Sequence, residues 1–381
     1  MPVEPFYRAL MTEEPLTIVE PPAPGGTLFV FREQERPGGG PPRTIAFTDV
    51  DIVPRSYEEL AAARLHEPIT IPLQMFNGRI VETDVEGVDT SRYAHVTTTL
   101  ISPFTARAIG LVRGGWLPSG LAATRDTTLL MPDRNIVTAI AGRSRGKSRA
   151  RDFLDLFRDR PVQVSPLLYA LEGNGRALPT PHEARQQLAE AIAKLGEALP
   201  QARLMVGPES AIGLLGLIED SRATMAAKQK FLIRLAPALA APVSRRDRDT
   251  RWNDVLVAAA DCGVAPDSLV VLAALSVVVH PGACAPRRLL KLHAGYDEAD
   301  AYNALSDIRS LELLLYSLAL QPGLDTQLCT ADRALALFWV GLNATEIEAA
   351  DDGIRWTLQP HDAILPEPFA ARWAAEVNGT G

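Results

Sequence analysis

The chain of 381 residues has only three cysteines, Cys262, Cys284 and Cys329, and no CxxC spacing. That excludes a disulfide framework and a thiolate zinc site. Its six histidines, His66, His95, His182, His280, His293 and His361, show neither HxH nor HExxH spacing, so no zinc reading survives. Long apolar runs are missing too. The longest, Leu269 to Val279, contains Ser276 and is well short of the ~20 residues that span a bilayer. The opening segment, Met1 to Leu10, lacks the apolar core of a secretory signal. Lysine is scarce beside arginine, which reads as a base-composition habit. The net charge of −8 excludes a uniformly basic, histone-like binder, although local patches outweigh the sum. Hydrophobic residues at 47% and charged residues at 22% exclude disorder over the whole length. These absences leave a soluble, reducing, cytoplasmic protein of two or three domains.

What is present divides near residue 118. Residues 1–118 carry proline and glycine punctuation, Pro21–Gly26 and Pro37–Pro42. Between these lie short β-branched or aromatic runs: Thr27–Phe31, Arg43–Phe47, Ile69–Phe76, Arg79–Val85 and Tyr93–Ser102. This predicts a small β-rich N-terminal domain. From residue 119 to 381 short strands alternate with helices. Strands are predicted at Thr127–Met131, Pro161–Val164, Thr326–Thr330 and Ile354–Leu358, which implies a parallel α/β sheet. Ser165 and Pro166 suit the N-cap and N1 positions of the helix running to Glu172. Residues from about 180 to 300 are alanine- and leucine-rich helix, a helical insertion.

The acids carry the chemistry. Asp133 ends the first strand and Asp332 follows the strand Thr326–Thr330. In a parallel sheet, ligands bind outside the carboxyl ends of the strands, so both acids can face one crevice. Glu172 lies on the helix after the second strand, and Asp307 on the long helix Ala301–Leu320. Four converging carboxylates repel unless a cation lies between them. Oxygen-only ligation suits Mg²⁺ or Mn²⁺, which activate water and stabilise phosphoryl displacement.

Three stretches carry a family resemblance. Leu129–Val137 holds strand, acid and helix; Val162–Glu172 holds a second strand and a glutamate-bearing helix; Ser306–Arg309 with Leu328–Leu335 holds the later acids. In this order they resemble the PIN-domain nucleases. The resemblance implies a PIN-like three-layer parallel sheet, and metal-dependent cleavage of RNA or single-stranded nucleic acid. It implies that Asp133, Glu172, Asp307 and Asp332 are catalytic and hold Mg²⁺ or Mn²⁺, with Asn135 and Thr330 in support. The partners it implies are RNA or single-stranded nucleic acid and no membrane, with a homo-oligomer left open. Three departures stand out. The interval from Glu172 to Asp307 is long, Arg134 replaces a small residue, and Asp297, Glu298, Asp300 and Glu312 compete for the third position.

A basic stretch, Arg143, Arg145, Lys147, Arg149 and Arg151, is expected to contact the nucleic-acid backbone. It overlaps Ala141–Ser148, a relaxed phosphate-binding loop in which Lys147 and Ser148 would hold a nucleotide. It also overlaps Gly142–Gly146, which fits the G-x-S-x-G of a hydrolase elbow. The alternatives to a nuclease are therefore a nucleotide-binding protein, or a non-catalytic PIN-like scaffold for nucleic acid or protein.

Overall fold

The structure is a computed structural model that describes residues 28–32, 43–89, 93–123, 125, 127–147, 150–158, 160–173, 176–207, 209–350 and 353–378. The loops expected at Pro21–Gly26 and Pro37–Pro42 lie outside the described residues.

The chain begins with strands β1 (Phe29–Arg32), β2 (Thr44–Thr48) and β3 (Asp51–Ile52), helix α1 (Tyr57–Ala62), and strands β4 (Thr70–Thr83) and β5 (Tyr93–Ile101). These strands form an antiparallel sheet in the order β1-β2-β4-β3, with β5 also on β4. The two runs expected at Ile69–Phe76 and Arg79–Val85 are one strand, β4. A register shift between Met75 and Gly78 absorbs the interruption. Its side chains alternate between exposed and buried, as a sheet with one solvated face requires.

The hairpin β6 (Ile109–Val112) and β7 (Gly115–Pro118) follows, then α2 (Ser119–Ala122), β8 (Thr128–Pro132) and α3 (Arg134–Ser144). Next come a 3₁₀ turn at Phe153–Phe157, β9 (Gln163–Val164), α4 (Leu167–Glu172), α5 (Pro181–Ala198) and β10 (Arg203–Leu204). Five helices come in succession: α6 (Ser210–Leu239), α7 (Arg248–Cys262), α8 (Leu269–Val279), α9 (Ala285–Leu290) and α10 (Glu298–Leu320). The chain closes with β11 (Asp325–Thr330), α11 (Arg333–Leu342), the hairpin β12 (Ala344–Ala350) and β13 (Gly353–Leu358), and α12 (Phe369–Asn378).

The second sheet runs β10-β9-β8-β11-β6-β7. Its first four strands are parallel, and β6 and β7 join antiparallel at the far edge. The protein is thus mixed α/β with parallel strands at the centre of this sheet. The strand pairing crosses the boundary expected at 118, because β6 and β7 precede it yet join the second sheet. Their signal was hidden in a Gly-Gly hairpin too short to stand out from the loops. The strand expected at Ile354–Leu358 is present but does not extend the parallel sheet. It pairs antiparallel with β12, and the two stand alone. Helix α4 starts at Leu167 after Pro166, without a side-chain cap from Ser165. The Ser165 N–H instead bonds the Leu130 carbonyl at 2.9 Å, continuing the sheet ladder.

The helical stretch obeys local rules. Thr180 and Glu183 form a capping box ahead of α5, with Pro181 at N1; Asp297 and Asp300 do the same for α10. Helix α8 is apolar all round, so all eleven of its residues are buried. Each of its leucines and valines contributes about 1.5–3 kcal/mol by burial. Phe47, Leu60 and Met75 near the first sheet belong to one contiguous core with Leu272, Leu311 and Trp339. The Trp339 indole N–H donates to the Val112 carbonyl at 3.0 Å, which ties α11 to the β6–β7 hairpin. Among the described residues, no helix is long and apolar enough to cross a membrane.

One close approach sets the hairpin edge. A Cβ on Gly120 would overlap the Phe153 carbonyl oxygen, whereas one on Gly207 would meet nothing within 4 Å. Gly120→Ala is therefore expected to destabilise the protein by about 1–3 kcal/mol in urea unfolding, with Gly207→Ala within about 0.5 kcal/mol of the parent.

Candidate active site

Adjacent parallel strands bring two acids side by side. In the register of β8 and β11, Met131 is opposite Leu328 and Pro132 opposite Cys329. Pro132 has no N–H, and the next ladder bond runs from the Asp133 N–H to the Cys329 carbonyl at 2.9 Å. Asp133 and Asp332 thus leave the carboxyl ends of neighbouring strands, and each begins a helix. Asp133 caps α3, its Oδ1 accepting from the Ile136 N–H at 2.7 Å. Asp332 caps α11, its Oδ1 accepting from Ala334 at 2.7 Å and Leu335 at 3.0 Å. Capping also orients both carboxylates.

Thr330 joins the pair. Its side chain is fully buried, its hydroxyl accepts the Asp332 N–H at 3.0 Å, and it hydrogen-bonds the Asp133 carboxylate. One hydroxyl therefore holds both acids.

The other two acids arrive on helices. Glu172 is the last residue of α4, which stops because Gly173 adopts φ 74°, a left-handed conformation that suits glycine. Asp307 lies in the middle of α10. The Tyr302 hydroxyl, on the same helix, donates to the Glu172 carbonyl at 2.9 Å and the Leu171 carbonyl at 3.2 Å. That bond locks α10 to the end of α4. The competitors for the third position are engaged elsewhere. Asp297 caps its own helix, Asp300 is 3.0 Å from His293, and Glu312 is 2.6 Å from Lys228. Glu298 stands in the first turn of α10, where an acid suits the helix dipole. Asp307 instead interacts with Asp332 and Asp133.

The electrostatics join all four carboxylates. Burial pushes the Asp133 carboxyl up to about 6, with Asp332 adding to the rise; the Thr330 hydroxyl and the Ile136 and Asn135 N–H groups act against it. Glu172 is pushed up to about 8, first by burial and then by Asp133 and Asp307, against the N–H and positive charge of Arg134. Asp307 is pushed up to about 7 by burial and by Asp332 and Asp133, with Lys291 opposing. Like charges gathered away from water disfavour ionisation, and that is the cause shared by all three.

The supporting residues differ from expectation in part. Thr330 is central. Asn135 contributes its backbone N–H, while its side chain is exposed. Arg134 reaches Glu172 through its N–H and through the charge of its guanidinium. That group stacks over the Tyr169 ring at 4.1 Å and donates to the Gln187 side chain at 3.0 Å, while the Arg134 N–H serves Glu172. Lys291, at the end of α9, was not singled out in the sequence as a partner for Asp307. It sits in a left-handed turn that sequence spacing does not announce.

The basic stretch is partly engaged within the protein. The Arg143 guanidinium is bound by both oxygens of Asp155 and by the Ala150 carbonyl, and Arg145 pairs with Glu197 at 2.6 Å. Lys147 and Arg151 are exposed, and Arg149, like Ser148, lies outside the described residues. A phosphate loop at 141–148 does not form, because α3 continues through Ser144. The Gly146 and Lys147 N–H groups close its C-terminus on the Arg143 and Gly142 carbonyls, both at 3.0 Å. The hydrolase elbow fails for the same reason. Ser144 is helical, and its hydroxyl donates back to the Ala141 carbonyl at 2.9 Å.

As a donor set the four acids fit a hard divalent cation: oxygen only, mostly buried, and mutually repelling. Among the described residues, no three His, Cys, Asp or Glu side chains already stand grouped to hold a metal ion. No family model, no curated protein and no solved structure matches the chain.

Unfolded carboxylates titrate near 4, so between about pH 4 and 8 the native state binds more protons than the unfolded one. The stability these three protonated groups contribute is full at the acid end and is lost as pH rises through 6, 7 and 8. Without divalent cations, urea unfolding is therefore expected to show a less stable protein at pH 8.5 than at pH 5.5. At pH 8.5, Asp307→Asn should be more stable than the parent by about 1–3 kcal/mol, and the gain should shrink toward pH 4.5. A flat pH profile would mean that the acids do not share one field.

Proposed function

We propose that the protein is a Mg²⁺- or Mn²⁺-dependent phosphodiesterase that cleaves RNA or single-stranded nucleic acid in the cytoplasm, on a PIN-like sheet with a helical insertion. One observation carries this reading. Four carboxylates from four separate elements couple by charge at the carboxyl edge of a parallel sheet, and Thr330 links two of them. A structural N-cap needs no such company. Buried like charges cost stability, so their gathering favours a role in binding a cation.

Asp133, Asp332, Asp307 and Glu172 would hold the ion. When bound, a divalent cation lowers the pKa of water and offsets the charge that develops on a scissile phosphate. The residues around it hold and orient. The α3 and α11 N-terminal N–H groups fix Asp133 and Asp332. Thr330 sets the angle between them. The Tyr302 bond keeps Asp307 and Glu172 from separating. Glu172 and Asp307 retain protons near neutral pH in the cation-free state, so ion binding must release protons and strengthen as pH rises.

A second reading is a non-catalytic PIN-like scaffold for nucleic acid or protein. The acids not yet grouped as a closed ligand set favour it.

Cleavage of labelled single-stranded RNA in Mn²⁺ separates the two. Asp332→Asn is expected to lower the rate at least about a hundredfold, because the lost charge stabilisation is worth several kcal/mol. Thermal unfolding of the variant should stay cooperative. No cleavage by the folded parent with Mg²⁺ or Mn²⁺ on RNA or single-stranded DNA would favour the scaffold.

A further inference from the structure

A cavity lies along α3 and reaches Ala331, the neighbour of Asp332 in the chain, and the proposed chemistry does not use it. It encloses about 320 Å³ between α3, the start of β6 and Ala331, the residue that joins β11 to Asp332. Ligand pockets begin near ~300 Å³, so this one has room for a single small unit and not for a duplex. Its floor is apolar, formed by the buried Ala108, Ile136 and Leu154, with Ala331 at its edge. Its rim carries Arg107, Arg143 and Lys147.

The charges on that rim are unequal. Arg143 is neutralised by Asp155 and is structural. Asp152, also at the cavity, is buried, and its carboxylate accepts from the Leu154 N–H at 3.0 Å, the Arg107 N–H at 3.0 Å and the Thr105 hydroxyl at 2.6 Å. Arg107 and Lys147 are the exposed cations of the rim. The nearest carbonyls at the end of α3 are closed by the Gly146 and Lys147 N–H groups, so the negative end of that helix is partly masked.

From this geometry we infer that the cavity seats the nucleotide next to the cleaved bond. Its base or sugar lies on the apolar floor, and its phosphate lies on Arg107 and Lys147. An apolar floor accommodates the face of any base, and a two-cation rim binds backbone without reading sequence. The surviving function of the basic stretch is then Lys147, joined by Arg107 from a distant part of the chain. The inference rests on the proposed nuclease reading for what the neighbouring acids do, but its binding step needs no metal.

The test uses the full chain in EDTA with a fluorescein-labelled single-stranded RNA dodecamer, titrated at several salt concentrations. Arg107→Ala with Lys147→Ala is expected to weaken binding about fivefold or more. It should also flatten the salt dependence by about 1.4, since each single-strand phosphate contact contributes ~0.7. Glu197→Gln releases Arg145 without touching the cavity, and should leave affinity within twofold of the parent. Unchanged affinity and slope in the double variant, or no binding by the parent, would overturn the subsite. Cleavage in Mn²⁺ is scored separately. Cleavage with an inert double variant sinks the subsite alone. Binding lost in the double variant, with no cleavage by the parent, sinks the nuclease reading alone.

Discussion

The loss of water around gathered carboxylates, to which their mutual repulsion adds, is the constraint on which the centre of this protein depends. Burial disfavours the ionised state of Asp133, Glu172 and Asp307, and the charges of Asp133, Asp307 and Asp332 add to that effect on their neighbours. Left alone, such groups would turn outward to water. They are prevented by bonds that belong to the fold: two helix caps, the shared Thr330 hydroxyl and the Tyr302 clamp. The free energy of the surrounding core, including a helix buried on every side, offsets the cost of keeping them together.

The helical stretch gains a purpose in this light. It separates Glu172 from Asp307 in sequence, yet its packing returns α10 to the end of α4. Buried Arg309 of α10 donates to the Leu217 carbonyl of α6 at 3.0 Å, and Lys228 of α6 pairs with Glu312 of α10 at 2.6 Å. These bonds hold α10, the helix that carries Asp307, against α6 and the end of α4. Breaking one partner of a largely buried pair such as Lys228–Glu312 leaves an uncompensated charge, so this packing resists loosening.

Charge is distributed asymmetrically around α3. One face holds Arg134 stacked on Tyr169, with Lys194 2.8 Å from the Tyr169 hydroxyl, and that cationic cluster lies on the Glu172 side. The opposite face lines the cavity beside Ala331. Among the cations, Arg134 opposes the rise at Glu172 and Lys291 the rise at Asp307.

The strands β8, β9 and β11, the acid-bearing helix starts at Asp133 and Asp332, and the helical character of residues 180–300 were legible because they are local. Apolar runs, N-caps and alternation depend on neighbours within a few residues. Choosing Asp307 over Asp300 or Glu312 was not legible, because it depends on which face of α10 meets the sheet. The β6–β7 hairpin escaped for a related reason: its partner β11 lies far along the chain, and only that pairing gives it a sheet to join. Arg143 illustrates the limit most directly. In the sequence it is one cation among five, but Asp155 neutralises it across a turn that composition does not reveal. The sequence by itself determined the acids, their order and the elements that carry them, since these follow from local chemistry. Only the tertiary structure decided which charges meet, because electrostatic coupling depends on distance and burial, and neither is a property of a residue alone.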